Sequence, residues 1–130
     1  MTTKMGVPVD RTIAYSWRRD VRCFRCDSVA AGLLVDYESG GRGLTLTLLD
    51  FLVRKTSYLS EPAAEGIAED EEIELLRWLP PTFHGFFCRE CGAAYCRRCW
   101  DIGAPLYTEG EYLGTAGICP AGHQALVDQS

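Results

Sequence analysis

Leu44-Thr45-Leu46-Thr47-Leu48 alternates apolar and polar residues, the period of a strand with one buried face. Upstream, Val29 to Tyr37 is a mostly apolar, β-prone run that reads as a partner strand. Between them, Ser39-Gly40-Gly41-Arg42-Gly43 supplies the glycines a tight turn needs, so the pair predicts a β-hairpin. Beyond Leu49 the alternation fails, and a helix over residues 49–58 is as compatible with the pattern as a strand. Ser60-Glu61-Pro62 reads as a loop or short turn. Acids then crowd residues 69–74 before Pro80-Pro81, with Ile73, Leu76 and Leu79 on one face and Trp78 nearby. This predicts a helix from Glu69 to Leu79.

The cysteines organise the rest. Cys23, Cys26, Cys88, Cys91, Cys96, Cys99, Cys119 and His123 form four pairs, three of them C-x-x-C and the last Cys119-Pro-Ala-Gly-His123. Two tetrahedral zinc ions need eight such ligands. Cys88-Arg89-Glu90-Cys91-Gly92 has the form of a zinc knuckle, whose glycine lets the backbone curl around the metal. Cys119-Pro120 followed by Ala121 to Val127 reads as a helix start. A knuckle joined to two ligands from a helix start is the layout of a treble clef. Because Cys91 and Cys96 lie too close together for one closed hairpin site, the spacing favours interleaving. Cys23, Cys26, Cys96 and Cys99 then hold one zinc, and Cys88, Cys91, Cys119 and His123 the other. The expected fold is α+β: one zinc-binding domain over 1–130, with ligand pairs at 23–26, 88–99 and 119–123. Residues 27–87 form its ordered helical insertion.

Other uses of the cysteines fit less well. Cys91-x4-Cys96-x2-Cys99, with Cys119, has ferredoxin-like spacing but orphans the remaining ligands. A thiol–disulfide oxidoreductase needs a lone C-x-x-C beside a βαβ unit. Seven cysteines make a poor disulfide framework and point to a reducing, cytoplasmic setting. Both zinc sites read as closed, with His84 the one spare histidine, so no catalytic residue is assigned.

Bulk properties narrow the partners. The chain has 130 residues, 47% of them hydrophobic, and no apolar run long enough for a membrane-spanning helix. A net charge of -5 argues against nucleic acid. The charge is uneven: residues 1–26 are rich in arginine, whereas Glu61, Glu65, Glu69, Asp70, Glu71, Glu72 and Glu74 face only Arg77. These fit solvated faces. A protein partner is the remaining expectation, with Trp17, Phe86, Phe87 and Trp100 as candidate contacts.

Cys88-Arg89-x-Cys91-Gly92-x-x-Tyr95-Cys96-x-x-Cys99 resembles the middle of a FYVE finger, and Trp17-Arg18-Arg19-Asp20 resembles the W-x-x-D motif that precedes it. The four-pair order as a whole is similar to the cross-brace fingers of the FYVE, PHD and RING type. The FYVE resemblance would imply phosphoinositide binding. Phe83-His84-Gly85-Phe86-Phe87-Cys88-Arg89, however, replaces the basic lipid-binding block and keeps only Arg89. The RING resemblance implies a ubiquitin-type ligase or adaptor that contacts its partner through Phe24, Trp100 and Pro120.

Overall fold

The computed structural model describes residues 13–38 and 43–129. It is built mainly from three antiparallel sheets. The first is a four-stranded meander of β1 (Ile13–Arg22), β2 (Val29–Glu38), β3 (Gly43–Leu49) and β4 (Lys55–Leu59). Ladder pairs Leu33↔Leu48 and Val35↔Leu46 place β-branched and leucine side chains on one inner face. A single α-helix, α1 (Glu61–Glu69), covers that face with Ala63, Ala64 and Ile67. Ser60 starts the helix: its hydroxyl accepts from the Ala63 N–H at 3.3 Å, and Pro62 fits the first turn, where no N–H partner is needed. At the other end, Arg19 reaches across from β1 to the Ile67 carbonyl, a cation at the negative end of the helix dipole.

After α1 the chain forms two 3-10 turns (Glu72–Arg77 and Pro81–Phe83) and enters the metal region. There β5 (Phe87–Cys88) and β6 (Ala93–Ala94) make a minimal ribbon, and β7 (Asp101–Thr108), β8 (Glu111–Ile118) and β9 (Gln124–Gln129) make the third sheet. Two devices anchor this sheet, one of them to the first. Lys55 of β4 makes a 2.6 Å ion pair with Asp128 of β9 and also donates to the Gln129 and Thr82 carbonyls. Gly85 lies flat against β9, where a β-carbon would sit 1.8 Å from the Val127 carbonyl oxygen. That oxygen is backbone and cannot swing aside. Gly85→Ala is therefore expected to destabilise the protein by about 2 kcal/mol through overpacking. Urea unfolding checks this, and a midpoint equal to the native one would refute the close approach.

The architecture corrects the α+β, treble-clef expectation with its helical insertion. Among the described residues of 27–87, strands β2, β3 and β4 take more of the chain than α1 and the two 3-10 turns together. The helix expected over Glu69–Leu79 lies earlier, at Glu61–Glu69, and Asp70 ends it. Trp78 explains the stop: its indole N–H donates to the Asp70 carboxylate at 2.7 Å, and its ring folds over Gly66. A continuous helix would carry Trp78 away from both. Ala121 to Val127 is a turn followed by β9, not a helix, because Gly122 takes φ 94° and β9 pairs with β8 through Ala116↔Leu126 and Gly117↔Ala125. The glycine turn over 39–42 and the N-terminal residues up to Thr12 lie outside the described residues. Among those described, no helix is long and apolar enough to cross a membrane.

Candidate metal centre

Four tight turns carry the eight ligands, and three of them close in a way set by their sequence. In Cys23–Asp27 and Cys88–Gly92, the residue after the second cysteine donates its N–H back to the carbonyl of the first, at 2.9 Å in each. Both of those closing residues take a positive φ. Gly92 supplies 66° without cost, and Asp27 supplies 62°, a conformation aspartate tolerates better than most residues. In the last turn, Gly122 donates to the Cys119 carbonyl and Cys119 to that of His123. The fourth turn, Cys96–Trp100, bonds Cys99 N–H and Trp100 N–H to the Cys96 carbonyl.

These turns meet in two groups, Cys23, Cys26, Cys96 and Cys99 in one and Cys88, Cys91, Cys119 and His123 in the other. Within each group all four ligand atoms lie within 4.8 Å of one another. Chain order therefore interleaves: first pair with third, second with fourth. A tetrahedral site with Zn–S of about 2.3 Å and Zn–N of about 2.0 Å has S···S edges of about 3.8 Å and S···N edges of about 3.5 Å. The Sγ···Sγ separations are 3.6 Å (Cys23–Cys99), 3.5 Å (Cys26–Cys96) and 3.7 Å (Cys91–Cys119). His123 Nδ1 lies 3.5, 3.3 and 3.4 Å from the sulfurs of Cys88, Cys91 and Cys119. The donors thus form two tetrahedra sized for a metal ion, and all seven cysteines are free of disulfides. A ferredoxin-type cluster would need Cys91, Cys96, Cys99 and Cys119 around one centre. The structure divides these four between the two groups.

The surroundings favour thiolates in selected positions. Burial pushes the Cys96 thiol up, but hydrogen bonds from Ser28, Cys26 and the Cys99 and Arg98 N–H groups outweigh it and bring it down to about 6. Burial likewise opposes ionisation of Cys119, and the His123 and Ala121 N–H groups bring it down to about 6. Cys99, half-buried beside the other sulfurs, is pushed up to about 12 by loss of water and by those sulfurs. Four sulfurs this close cannot all ionise unless a cation neutralises them. A bound metal ion does that. Outside the ligands, Tyr95 hydrogen-bonds Cys91, which with burial pushes its hydroxyl up to about 12 and keeps it a donor. His123 presents Nδ1 to the sulfurs and turns Nε2 outward, 4.0 Å from a Glu90 carboxylate oxygen. That separation is beyond hydrogen-bond reach, so Glu90 adds a negative charge near the imidazole without fixing its orientation.

The residues expected to meet a partner fare differently. Trp100 is 3% exposed, with its indole N–H on the Tyr95 carbonyl, and Phe86 is buried beside Phe51. Trp17 and Phe87 are half-buried and pack against the core. None of these four stands free at the surface, because the interior around the metal turns needs large apolar side chains. Pro120 is half-buried in its turn. Arg89 is exposed and donates to His84 Nδ1 at 3.0 Å, while His84 Nε2 bonds the Leu79 carbonyl. Phe24 stands out: it is 77% exposed and leans edge-on against Tyr95. Ile73, also exposed, joins it across a groove. A helix over Glu69–Leu79 would put Ile73 on one face with Leu76 and Leu79, whereas the 3-10 turn leaves it exposed.

The chain belongs to the family described as domain of unknown function (DUF8328), whose profile matches residues 14–129. No curated protein and no solved structure matches it.

Proposed function

We propose that this chain is a zinc-binding protein of the cytosol in which two structural zinc ions build a protein–protein interaction module. The observation that carries this reading is the closure of both donor groups. Each offers four N or S ligands in a tetrahedron and leaves no position for a substrate or water, as structural zinc requires and catalytic zinc does not. Nitrogen and sulfur donors in this geometry suit zinc rather than the oxygen-preferring cations. Seven free thiols fit a reducing compartment. The interaction role rests on Phe24, a large aromatic held in the open by the first metal turn. A ligase of the RING type would use Trp100 as well, and Trp100 is committed to the core. A phosphoinositide reader would need a basic block, where only Arg89 stands.

Two measurements test the proposal. Atomic emission on the purified protein is expected to give two zinc equivalents; one equivalent, or iron with a visible absorption band, overturns the scaffold. A photo-crosslinking residue placed at position 24 in cells is expected to give a discrete protein adduct that position 58 does not. Tyr58 is the control, because it is 82% exposed on the first sheet, in β4. Equal labelling at both positions, or none at 24, overturns the interaction role.

A further inference from the structure

The first and second metal turns are joined by a backbone bond, Phe24 N–H to the Ala94 carbonyl at 2.8 Å, and a groove of about 380 Å³ runs along this junction. Its floor is the small-residue backbone of Gly92, Ala93 and Ala94. Phe24, Val21, Ile73 and Phe87 line it as well. Phe24 and Ile73 are both large, apolar and exposed at the rim, although they belong to segments far apart in sequence. Lone exposed apolar residues are ordinary, whereas two that line one groove together with Val21 and Phe87 mark a place where a partner side chain is sheltered from water.

The charge on the rim says what kind of partner fits. On the Phe24 side the groove is lined by one cation and one anion, Arg22 and Asp27, and Arg22 donates to the Asp27 carbonyl; on the Ile73 side Asp70 takes the Trp78 indole and Glu74 pairs with Arg77. Glu72 lines the groove beside Ile73, and Glu71 precedes it. Both are exposed, and neither has a side-chain hydrogen bond or ion pair among the described residues. The uncommitted charge on the Ile73 side is therefore negative. The metal turns fix the floor, so the groove is pre-formed and costs little ordering on binding.

We propose that this groove receives an extended protein segment that inserts one large apolar side chain between Phe24 and Ile73 and sets basic residues against Glu71 and Glu72. It rests on the interaction-module reading and adds the chemistry of the partner to it. An apolar anchor would supply most of the affinity, and the rim charges would supply selectivity and salt dependence.

Fluorescence anisotropy with labelled nine-residue peptides tests this on the full zinc-loaded chain. One set carries a central Leu, Ile, Phe or Trp flanked by Lys and Arg; matched sets carry Glu or Ser flanks. The basic set is expected to bind best. Ile73→Ser and Phe24→Ala are expected to weaken it about tenfold or more, as for loss of an anchor contact. Glu71→Gln with Glu72→Gln together should weaken it about threefold to tenfold and flatten its salt dependence, as for exposed ion pairs. Tyr58→Ala should change nothing. Each variant must retain two zinc equivalents, which separates loss of the groove from loss of the fold. Absence of binding by every set, equal binding by the acidic or neutral sets, or full binding by Ile73→Ser would overturn the assignment. A zinc-dependent adduct at position 24 combined with peptide failure would leave the interaction module standing and remove only its proposed occupant.

Discussion

Stripping the metal with excess chelator is expected to dissolve the packing of residues 87–129 and to lower Tm by about 15 °C or more. The size follows from how little else holds that region together. The β5–β6 ribbon has two residues per strand, and β7 is exposed along almost its whole length. Its buried side chains are few (Cys88, Tyr95, Cys96, Trp100, Cys119 and Val127 foremost), and half of those are ligands. Structural zinc binding contributes about 10–16 kcal/mol in small zinc peptides, and it is folding free energy where no site exists in the unfolded chain. If only about 5 kcal/mol of it is lost here, at about 3 °C per kcal/mol for a chain this long, the shift is already about 15 °C.

The loss should be uneven. The first sheet owns a metal-free core of Leu33, Val35, Leu46, Leu48 and Ile67, so far-UV circular dichroism should keep much of its strand signal. The near-UV bands of Tyr95 and Trp100, which pack edge-on between the metal turns, should vanish and return when zinc is added back. Interleaving sharpens the expectation. Cys91 and Cys96 serve different groups yet are joined by a short segment through Tyr95, so Cys96→Ser should loosen both groups rather than one. An unchanged near-UV spectrum after both ions leave would show that zinc decorates the fold without holding it.

The two groups of donors able to hold a metal were legible in the sequence because each pair is a local signal, and a short turn between two donors has few alternative uses. Strands β2 and β3 were legible for a similar reason, since alternating leucines and threonines bury one face whatever lies across from them. The misread segments depend on distant residues. Glu69 to Glu74 resembles the acidic start of a helix, but its outcome is decided by Trp78 choosing Asp70 and the face of Gly66. Ala121 to Val127 has a helical look after Cys119-Pro120, yet its partner strand β8 claims it residue by residue. Strand β1 escaped notice because its inward face carries Arg19 between Trp17 and Val21. That arginine is bonded to the end of α1, a purpose that cannot be read before α1 is placed. The donor groups could be grouped from spacing, whereas the groove beside them could not, since its walls come from three separate segments.

Asp128→Ala is expected to cost about 3 kcal/mol, more than Gly85→Ala. Asp128 is 7% exposed and accepts from Lys55 and from the Tyr112 hydroxyl, each at 2.6 Å. Removing it leaves the Lys55 ammonium facing two carbonyls with no counter-charge, and breaking a buried pair from one side costs about 3–5 kcal/mol. The lower figure applies because Lys55 keeps some contact with water. The pH dependence separates this clasp from the metal. Burial pushes the Asp128 carboxyl up, but Lys55 and Tyr112 outweigh it and hold it below the usual carboxylate value. A depressed acid contributes stability above the unfolded value of about 3.9, and that contribution fades as pH falls through the folded one. Zinc release from protonating thiolates comes first on that side, so the acid limb reports the metal.

The alkaline limb reports the clasp. Burial and the bond to Asp128 raise the Tyr112 hydroxyl above 10. A raised group stabilises fully below its unfolded value and loses that contribution as pH climbs through its folded one. Tyr112→Phe, which keeps the ring and removes only the donor, should therefore sit about 1 kcal/mol below the native protein from pH 7 to 9. The gap should close above about pH 10, where the native hydroxyl ionises beside Asp128. Urea midpoints across that range, taken with zinc in excess, read the gap directly. No gap between pH 7 and 9 would mean that Tyr112 contributes packing alone, and that Lys55 holds Asp128, and with it the third sheet, unaided.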